Sequence, residues 1–168
     1  MSGSRSMELS LEFRHAMRRL AATVCVVTCA DAEGWHGMTA TAVTSVSVEP
    51  PALLVCVNQL TSFYRKLGAS RIFCVNLLGV PHVAISQAFS GKLRGAERFS
   101  AGNWLVARSM PYLADAQAAI FCKAESVTHF GTHGIFIGIV EEVRLVNGCG
   151  PLLYEAGHYA TTSHLSDG

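Results

Sequence analysis

A strand-like segment rich in hydroxyl side chains gives the first indication of chemistry in this sequence. Seven of the eleven residues from 38 to 48 are Thr, Ser or Ala, and they lead into an apolar run that ends at Asn58. Small side chains let a flat heteroaromatic ligand approach the backbone, whose N–H and C=O groups can bind the ring edge. Side-chain hydrogen bonds would come from four residues: Thr39, Thr41, Thr44 and Ser45. An ordinary Thr- and Ser-rich strand facing water has the same pattern, so both interpretations stay open.

Two histidines stand four positions apart, at His129 and His133. On a helix they would present two zinc ligands on one face. Gly131 and Gly134 disfavour a helix, and no third ligand is close in sequence, so we expect no metal site. His133 alone either contacts a ligand or is a turn histidine with a local hydrogen bond.

The six cysteines indicate neither a disulfide framework nor a metal site. The sequence has no CxxC pair, and a cytosolic thiol in an apolar run behaves as a small hydrophobic residue. Four of them lie in such runs: Cys25, Cys56, Cys74 and Cys122. Cys149, in the turn-like segment 147–151, is the one expected at the surface.

Composition and charge limit the classes of partner. Half of the 168 residues are apolar, 15% are charged and the mean hydropathy is +0.32, which suggests more apolar surface than one protomer can bury. We therefore expect a homodimer. A net charge of +1 without a Lys/Arg cluster argues against nucleic acid and membrane surfaces. No signal-peptide core or spanning segment is evident, so a cytoplasmic protein is expected.

The chain is predicted to form one domain, residues 1–168, with a core over about 13–161 and tails at 1–8 and 162–168. An amphipathic helix around Leu9–Leu20 comes first. Strands are expected at 23–29, 38–48, 52–58, 71–78, 116–127, 134–146 and 152–159, with short helices near 61–68 and 80–90 and a loop over 90–110. Few helices separate these strands, which favours a mainly β fold, an antiparallel barrel or sandwich.

The common nucleotide-binding motifs GxGxxG and GxxxxGK[ST] are absent from the sequence, as is the GxSxG motif of a serine nucleophile. A dinucleotide would therefore be bound neither by a Rossmann crevice nor by a P-loop.

Several strings in the chain, in order, resemble the flavin reductase-like family over roughly residues 13–161. They are FRHAMRRLAATVCVVT, GMTATAVTSVSVEPPALLVCVN, FCVNLL, AISQAFSG, RF, GTHGIFIGIV and PLLYEAGHYAT. The resemblance implies an FMN-binding split β-barrel of Greek-key type with a few flanking helices. It also implies a homodimer, FMN or FAD beside NADH or NADPH, and reduced flavin passing by diffusion to an oxygenase component.

The resemblance also assigns residues. The stretch bordering the flavin ring corresponds to Thr39, Ala40, Thr41, Ala42 and Ser45, with Ala42 where the family usually has Ser. The strand end and helix start that would bind the phosphate correspond to Cys56, Val57, Asn58 and Ser62, for which a helix N-terminus is well suited. Further lining positions correspond to Asn76, Leu77, Gln87, Phe89 and Tyr159.

The family's Gly-Asp-His motif corresponds to Gly131, Thr132 and His133, and the resemblance implies that His133 contacts the nicotinamide. Thr132 replaces an Asp that could fix the imidazole tautomer. Such a protein would be an NAD(P)H-dependent flavin reductase serving a monooxygenase. A non-catalytic flavin-binding electron carrier is the alternative. An oxidase of the pyridoxamine-phosphate type would instead need a basic pocket, for which the candidates are Arg65, Lys66, Lys92, Arg94 and Arg98.

Overall fold

The computed structural model describes residues 2–164, which form three α-helices and twelve strands. The helices are α1 (Ser2–Met17), α2 (Ser62–Ser70) and α3 (Val83–Gln87). The strands are β1 (Ala22–Thr23), β2 (Cys25–Asp31), β3 (Gly34–Ala40), β4 (Val43–Val48), β5 (Pro51–Asn58), β6 (Ile72–Leu77), β7 (Trp104–Ala107), β8 (Met110–Leu113), β9 (Ala118–Phe130), β10 (His133–Leu145), β11 (Leu153–Glu155) and β12 (His158–Ala160). The predicted mainly β fold is confirmed.

The largest sheet is antiparallel and has seven strands in the order β3-β2-β6-β9-β10-β5-β4. Its outermost strands, β3 and β4, are separated in the chain only by Thr41 and Ala42. A link of that length spans about 11 Å at most, so the sheet must curl until its opposite edges meet there. The backbone N–H of Cys56 donates to the carbonyl oxygen of Ala42 (3.0 Å), which joins the link to β5.

The curled sheet encloses the main hydrophobic core. Alternate residues of its strands point inward, as the period of two in a β-strand requires. The fully buried members include Val27, Val55, Val57, Phe73, Val75 and Phe136. The inner face of α2 closes this core with Phe63 and Leu67.

A second core lies on the other face of β2 and brings the α3 region against the sheet. Val26 of β2 and Val24 directly before it pack there with Ile85, Ala88 and Phe89. The turn from Val80 to His82, which contains Pro81, leads into α3, and Gly91 (φ +107°) ends the helical segment. The predicted helix over this stretch is confirmed, including its termination at Gly91.

Buried Asn76 of β6 joins three strands. Its side-chain amide donates to the carbonyl oxygen of Val26 (2.9 Å), and its Oδ1 accepts from the backbone N–H of Leu113 (2.8 Å). The side chain is 0% exposed, and burial of an amide is tolerated because its polar atoms are paired. Asn76 therefore positions β6 against β2 and β8.

Three predicted boundaries were wrong. The segment 38–48 is two strands at opposite sheet edges, and the first begins at Gly34, directly after a two-residue turn. The expected loop over 90–110 contains β7, which pairs with β8. The expected single strand at 152–159 is the β11–β12 hairpin, whose turn residues Ala156 and Gly157 both have positive φ (51° and 93°), as a type I′ turn requires.

The first helix is also placed differently from the prediction. α1 begins at Ser2, so residues 2–8 are helical instead of forming a tail, whereas residues 165–168 of the expected C-terminal tail lie outside the described part. Its apolar side chains do not reach the core: Leu9 is 65% exposed and Phe13 61%. The helix therefore leaves its apolar face uncovered. No helix within residues 2–164 has both the length and the apolar character needed to cross a bilayer.

Candidate functional site

A groove made of adjoining cavities follows the β3 edge of the main sheet. We name three of its parts by their linings. The hydroxyl cavity, about 350 Å³, is lined by Val24, Thr39, Ala40, Thr41, Ser86, Ser90, Tyr154 and Tyr159. The central cavity, about 210 Å³, is lined by Met38, Thr39, Thr61, Ser62, Phe63, Phe89, Ser90, Gly91 and Arg98. The basic cavity, about 340 Å³, is lined by Trp35, His36, Gly37, Ser62, Phe63, Lys66, Arg94, Gly95 and Arg98.

The hydroxyl cavity has a hydrogen-bond chain in its wall. Thr39 Oγ1 donates to the carbonyl oxygen of Ser86 (2.7 Å), and Ser86 Oγ lies 2.9 Å from the hydroxyl of Tyr159. Ser86 is 1% exposed, so β3, α3 and β12 are joined beneath the cavity surface. Ala40 and Thr41 continue the wall with small side chains, which leaves room for a flat ring.

At Gly37 the β3 edge closely approaches the segment that follows α3. A Cβ placed on Gly37 would lie 2.6 Å from Cε1 of Phe89, a distance that real Cβ atoms do not adopt. Phe89 is 2% exposed and stacks edge-to-face on Phe99, with ring centroids 4.9 Å apart. Gly37 is therefore required so that Phe89 can occupy the floor of the groove.

The central cavity combines a helix N-terminus with an arginine. Thr61 caps α2, because its Oγ1 accepts from the backbone N–H of Tyr64 (3.2 Å), and Ser62 follows at the first helical position. Arg98 donates from Nη1 to the carbonyl oxygen of Gly37 (2.7 Å) and from Nε to that of Leu93 (2.9 Å). Unpaired N–H groups at a helix start and a fixed guanidinium both favour an anion such as phosphate.

Arg98 is the residue that sequence reasoning missed as part of this site. It was named only as one of five cations that an oxidase could use. The Arg98-Phe99 pair was among the resembling strings, but no role followed from it. Both residues lie in a segment of 3₁₀ geometry (Gly95–Ser100) whose sequence has no periodic pattern. The position of this segment over β3 therefore could not be predicted from its local sequence.

The basic cavity is bordered by a paired network at the β2–β3 turn. Asp31 accepts from Lys66 Nζ (2.8 Å) and contacts Nε2 of His36 (2.7 Å), while its Oδ1 also accepts from the backbone N–H of Glu33 (2.8 Å). The hydrogen bond from Lys66 and then that from His36 hold the pKa of Asp31 well below its usual range. The same pairing raises the pKa of Lys66.

Several residues predicted for the site are brought together in the groove: Thr39, Ala40, Thr41, Ser62, Phe89 and Tyr159. Ala42 lines a neighbouring apolar cavity of about 540 Å³, beside the end of α1 and the β11–β12 hairpin. Asn58 supports the site from below, because its carbonyl oxygen accepts from the Thr61 hydroxyl (2.8 Å).

Other predicted residues are not in the groove. Val57 and Asn76 are fully buried, Val57 in the main core and Asn76 in the contacts described above, so neither lines the surface. The Gln87 amide oxygen accepts from Lys92 instead (3.3 Å). None of the cavities described here is lined by Ser45, Cys56 or Leu77.

His133 also lies outside these cavities. It begins β10 with an exposed side chain, and its Nδ1 lies 3.0 Å from Oγ1 of Thr132. The threonine thus gives the imidazole a local partner where the family motif has Asp. His129 instead contacts the Tyr64 hydroxyl through Nε2 (2.5 Å), and no cluster of three metal-ligating side chains is found in residues 2–164.

Most of the cysteines are buried thiols of low reactivity. Burial raises the pKa values of Cys25, Cys29 and Cys122 to about 12 and raises that of Cys74 further. A thiol with so high a pKa is not a nucleophile at neutral pH. Cys56 and Cys149 are the partly exposed members of the six.

A curled antiparallel sheet with a hydroxyl-lined groove that passes a helix N-terminus and an arginine is suited to a flat ring carrying a phosphate. The chain belongs to the family of the flavin reductase like domain, whose model matches residues 17–163.

The curated relatives agree with this assignment. The chain is 46% identical over 154 residues to the reductase component of the FADH₂-dependent resorcinol hydroxylase of Rhizobium sp. strain MTP-10005, covering 90% of this chain and 86% of that protein. It is 41% identical over 146 residues to the FMN reductase (NADH) RutF of Agrobacterium fabrum, covering 86% of this chain and 84% of the relative.

A solved structure agrees as well. The NADH:FAD oxidoreductase SgcE6 of Streptomyces globisporus superposes with a TM-score of 0.86 at 26% identity, covering 92% of this chain and 94% of that one.

Proposed function

We propose that this protein is an NAD(P)H-dependent flavin reductase, which transfers hydride from a nicotinamide to FMN or FAD and supplies reduced flavin to a partner monooxygenase. The observation that carries this proposal is the meeting of the small-residue edge of β3 with an anion-binding cavity in one groove. The relatives support it, since one is a hydroxylase reductase component and another an FMN reductase (NADH).

The groove fits a flavin nucleotide. Thr39, Ala40 and Thr41 would border the ring system, and Ser62 with Arg98 would bind the phosphate. Gly91 lines this part, and its φ of +107° disfavours any other residue at that position.

The flavin and the nicotinamide provide the hydride chemistry themselves when both are bound. The protein then has to bind the two molecules and orient them relative to each other. The Thr39–Ser86–Tyr159 chain fixes the cavity wall, and the α2 N-terminus with Arg98 fixes the phosphate end. Binding both molecules side by side would make their reaction effectively intramolecular, and it would require no acid or base from the protein. The groove accordingly contains hydroxyl groups and cations instead of a catalytic dyad.

We assign the nicotinamide contact to His133. Its exposed imidazole stands at the start of β10 beside the turn that leads to α2, and Thr132 holds Nδ1. The ring nitrogen not held by Thr132, Nε2, is then the one available to a ligand. Because His133 lines none of the groove cavities, the nicotinamide would have to extend beyond them to reach it.

We further propose a homodimer with a split-barrel arrangement, located in the cytoplasm. Large exposed apolar side chains on α1, including Leu9 and Phe13, and Val143 and Leu145 near the end of β10 support a second copy. Opposite sheet edges that meet at Thr41 and Ala42 support the barrel. Reduced flavin would pass by diffusion to the oxygenase, because a groove that is open to solvent suits reversible binding.

The test mixes purified protein with NADH or NADPH and with FMN or FAD, and follows loss of the reduced nicotinamide absorbance. Turnover that requires both a flavin and a nicotinamide is the expected result. Tight flavin binding without any consumption of either nicotinamide would instead identify a non-catalytic flavin carrier and refute the proposal.

A further inference from the structure

The groove does not end at the central cavity. Ser62, Phe63 and Arg98 line both the central and the basic cavity, so the first opens into the second. A ligand whose phosphate lies at Ser62 therefore has about 340 Å³ of further space beyond that phosphate. This volume is within the range of about 300–1,000 Å³ found for small-molecule sites.

The charges in this extension suit a second phosphate. Lys66 forms salt bridges with Asp31 and Glu33, both at 2.8 Å, which compensate its charge. Arg98 is fixed by two carbonyl oxygens, which carry no net charge. Arg94 is exposed and forms no salt bridge with any residue in 2–164, so its guanidinium is free to bind an anion.

The extension also has a surface for a ring. Trp35 lines the basic cavity, and its indole is held edge-to-face against Phe99 with centroids 5.3 Å apart. A fixed aromatic side chain beside cations is the combination by which proteins bind purine nucleotides. Gly95 at the same wall has φ +54°, and a Cβ on it would meet nothing within 4 Å, so the wall is open on that side.

We propose that the basic cavity binds the adenylate half of FAD, with Arg94 as the residue that selects FAD over FMN. FMN ends at the phosphate in the central cavity. FAD continues with a second phosphate, which Arg94 binds, and with an adenine, which packs on Trp35. This inference rests on the proposed flavin site and specifies which flavin it takes.

Flavin-binding titrations without nicotinamide test the assignment. Quenching of flavin fluorescence gives the Kd of FMN and of FAD for the parent protein, for Arg94→Ala and for the control Arg65→Ala, an exposed arginine of α2 that lines none of the cavities. We expect FAD to bind the parent at least tenfold more tightly than FMN. Arg94→Ala should raise the Kd of FAD about tenfold and leave that of FMN unchanged, and Arg65→Ala should change neither.

Three results would overturn the proposal. The first is equal affinity of the parent for FMN and FAD. The second is an equal rise in the Kd of FMN and of FAD in Arg94→Ala, and the third is a raised KM for NADH in that variant with its Kd for FAD unchanged. The last would assign the cavity to the nicotinamide dinucleotide. Selective FAD binding without NADH oxidation would refute the proposed function and leave this inference standing. NADH oxidation together with equal binding of FMN and FAD would support the proposed function and refute this inference.

Discussion

His133 lies directly opposite Asn58 in the ladder between β10 and β5. Asn58 is the residue whose carbonyl oxygen accepts from the Thr61 N-cap of α2, so the histidine and the helix start proposed to bind phosphate share one strand end. The pairing of β10 with β5 therefore fixes the position of the His133 imidazole, which lies outside the groove, relative to the start of α2.

Replacing His133 with Ala should raise the KM for NADH about tenfold while the Kd for flavin stays the same. The reason is that the imidazole is assigned to the nicotinamide and lines no part of the flavin groove. Steady-state kinetics and flavin titrations measure the two quantities separately. His129→Ala, which removes the contact with Tyr64 instead, is the matched control. An unaltered KM in the His133 variant would exclude the assigned contact.

Replacing Ser62 with Asp should weaken FMN binding by at least tenfold, because a carboxylate would face the phosphate at the start of α2. Riboflavin lacks that phosphate, so its Kd should be much less affected. Ser126→Asp makes the same change of charge on an exposed position of β9 and should affect neither ligand. Parallel losses for FMN and riboflavin would show that the phosphate lies elsewhere.

Replacing Gly37 with Ala should destabilise the fold by about 1–3 kcal/mol, the usual cost of overpacking. The added Cβ would lie 2.6 Å from Cε1 of Phe89, which the neighbouring aromatic rings hold in place. Urea denaturation measures the change. Gly68→Ala is the control: nothing lies within 4 Å of its Cβ, and Ala in the interior of α2 should stabilise by up to about 1 kcal/mol. Equal stabilities of the two variants would contradict the packing argument.

Thiol labelling should divide the cysteines into two classes. At pH 8 a disulfide reagent should modify Cys56 and Cys149 rapidly, because both are partly exposed. Cys25, Cys29 and Cys122 should react only after unfolding, since burial raises their pKa values to about 12 and removes the thiolate. Mass spectrometry of the labelled peptides identifies the sites. Rapid labelling of Cys29 in the native protein would be inconsistent with this core.

The network around Asp31 should contribute stability that depends on pH. Its pKa is lower in the folded than in the unfolded state, so the contribution is present at neutral pH and is lost as the pH falls below the unfolded value of about 3.8. Asp31→Asn should therefore be less stable than the parent at pH 7. The difference should shrink as the pH is lowered from 4 toward 2, as measured by urea denaturation at each pH. A difference independent of pH would argue against this pairing.

Most strands could be predicted from the sequence because β-branched, apolar runs make half-buried or buried strands wherever they occur. The division of 38–48 into β3 and β4 could not be predicted, because the link residues Thr41 and Ala42 are not of the types usual in turns. The two strands go to opposite edges only because the sheet curls. The apolar stripe of α1 was predicted from its helical spacing, a pattern that is typical of a face packed on the core. The same pattern serves equally well for a face that another chain covers, which sequence alone does not distinguish.

The candidate site was predicted in part. The β3 edge and the start of α2 were found because small hydroxyl residues and a helix cap are local signals. The resemblance assigned Asn76 to the lining, whereas its side chain is buried between β6, β2 and β8, and alternation along a strand does not tell which face borders a groove. Arg98 and Arg94 were not assigned because their position depends on how a segment without periodicity folds over β3.

The short connection at Thr41 and Ala42 also determines what a chain break would do. Cleavage between these two residues would leave the opposite margins of the sheet on separate fragments, one carrying β3 and the other β4. A ligand seated at Thr39, Thr41 and Ser62 would touch both pieces and favour their reassociation. The fold is therefore suited to fragment complementation. Reassembly of the two fragments into the whole domain would report binding of the small molecule that contacts both.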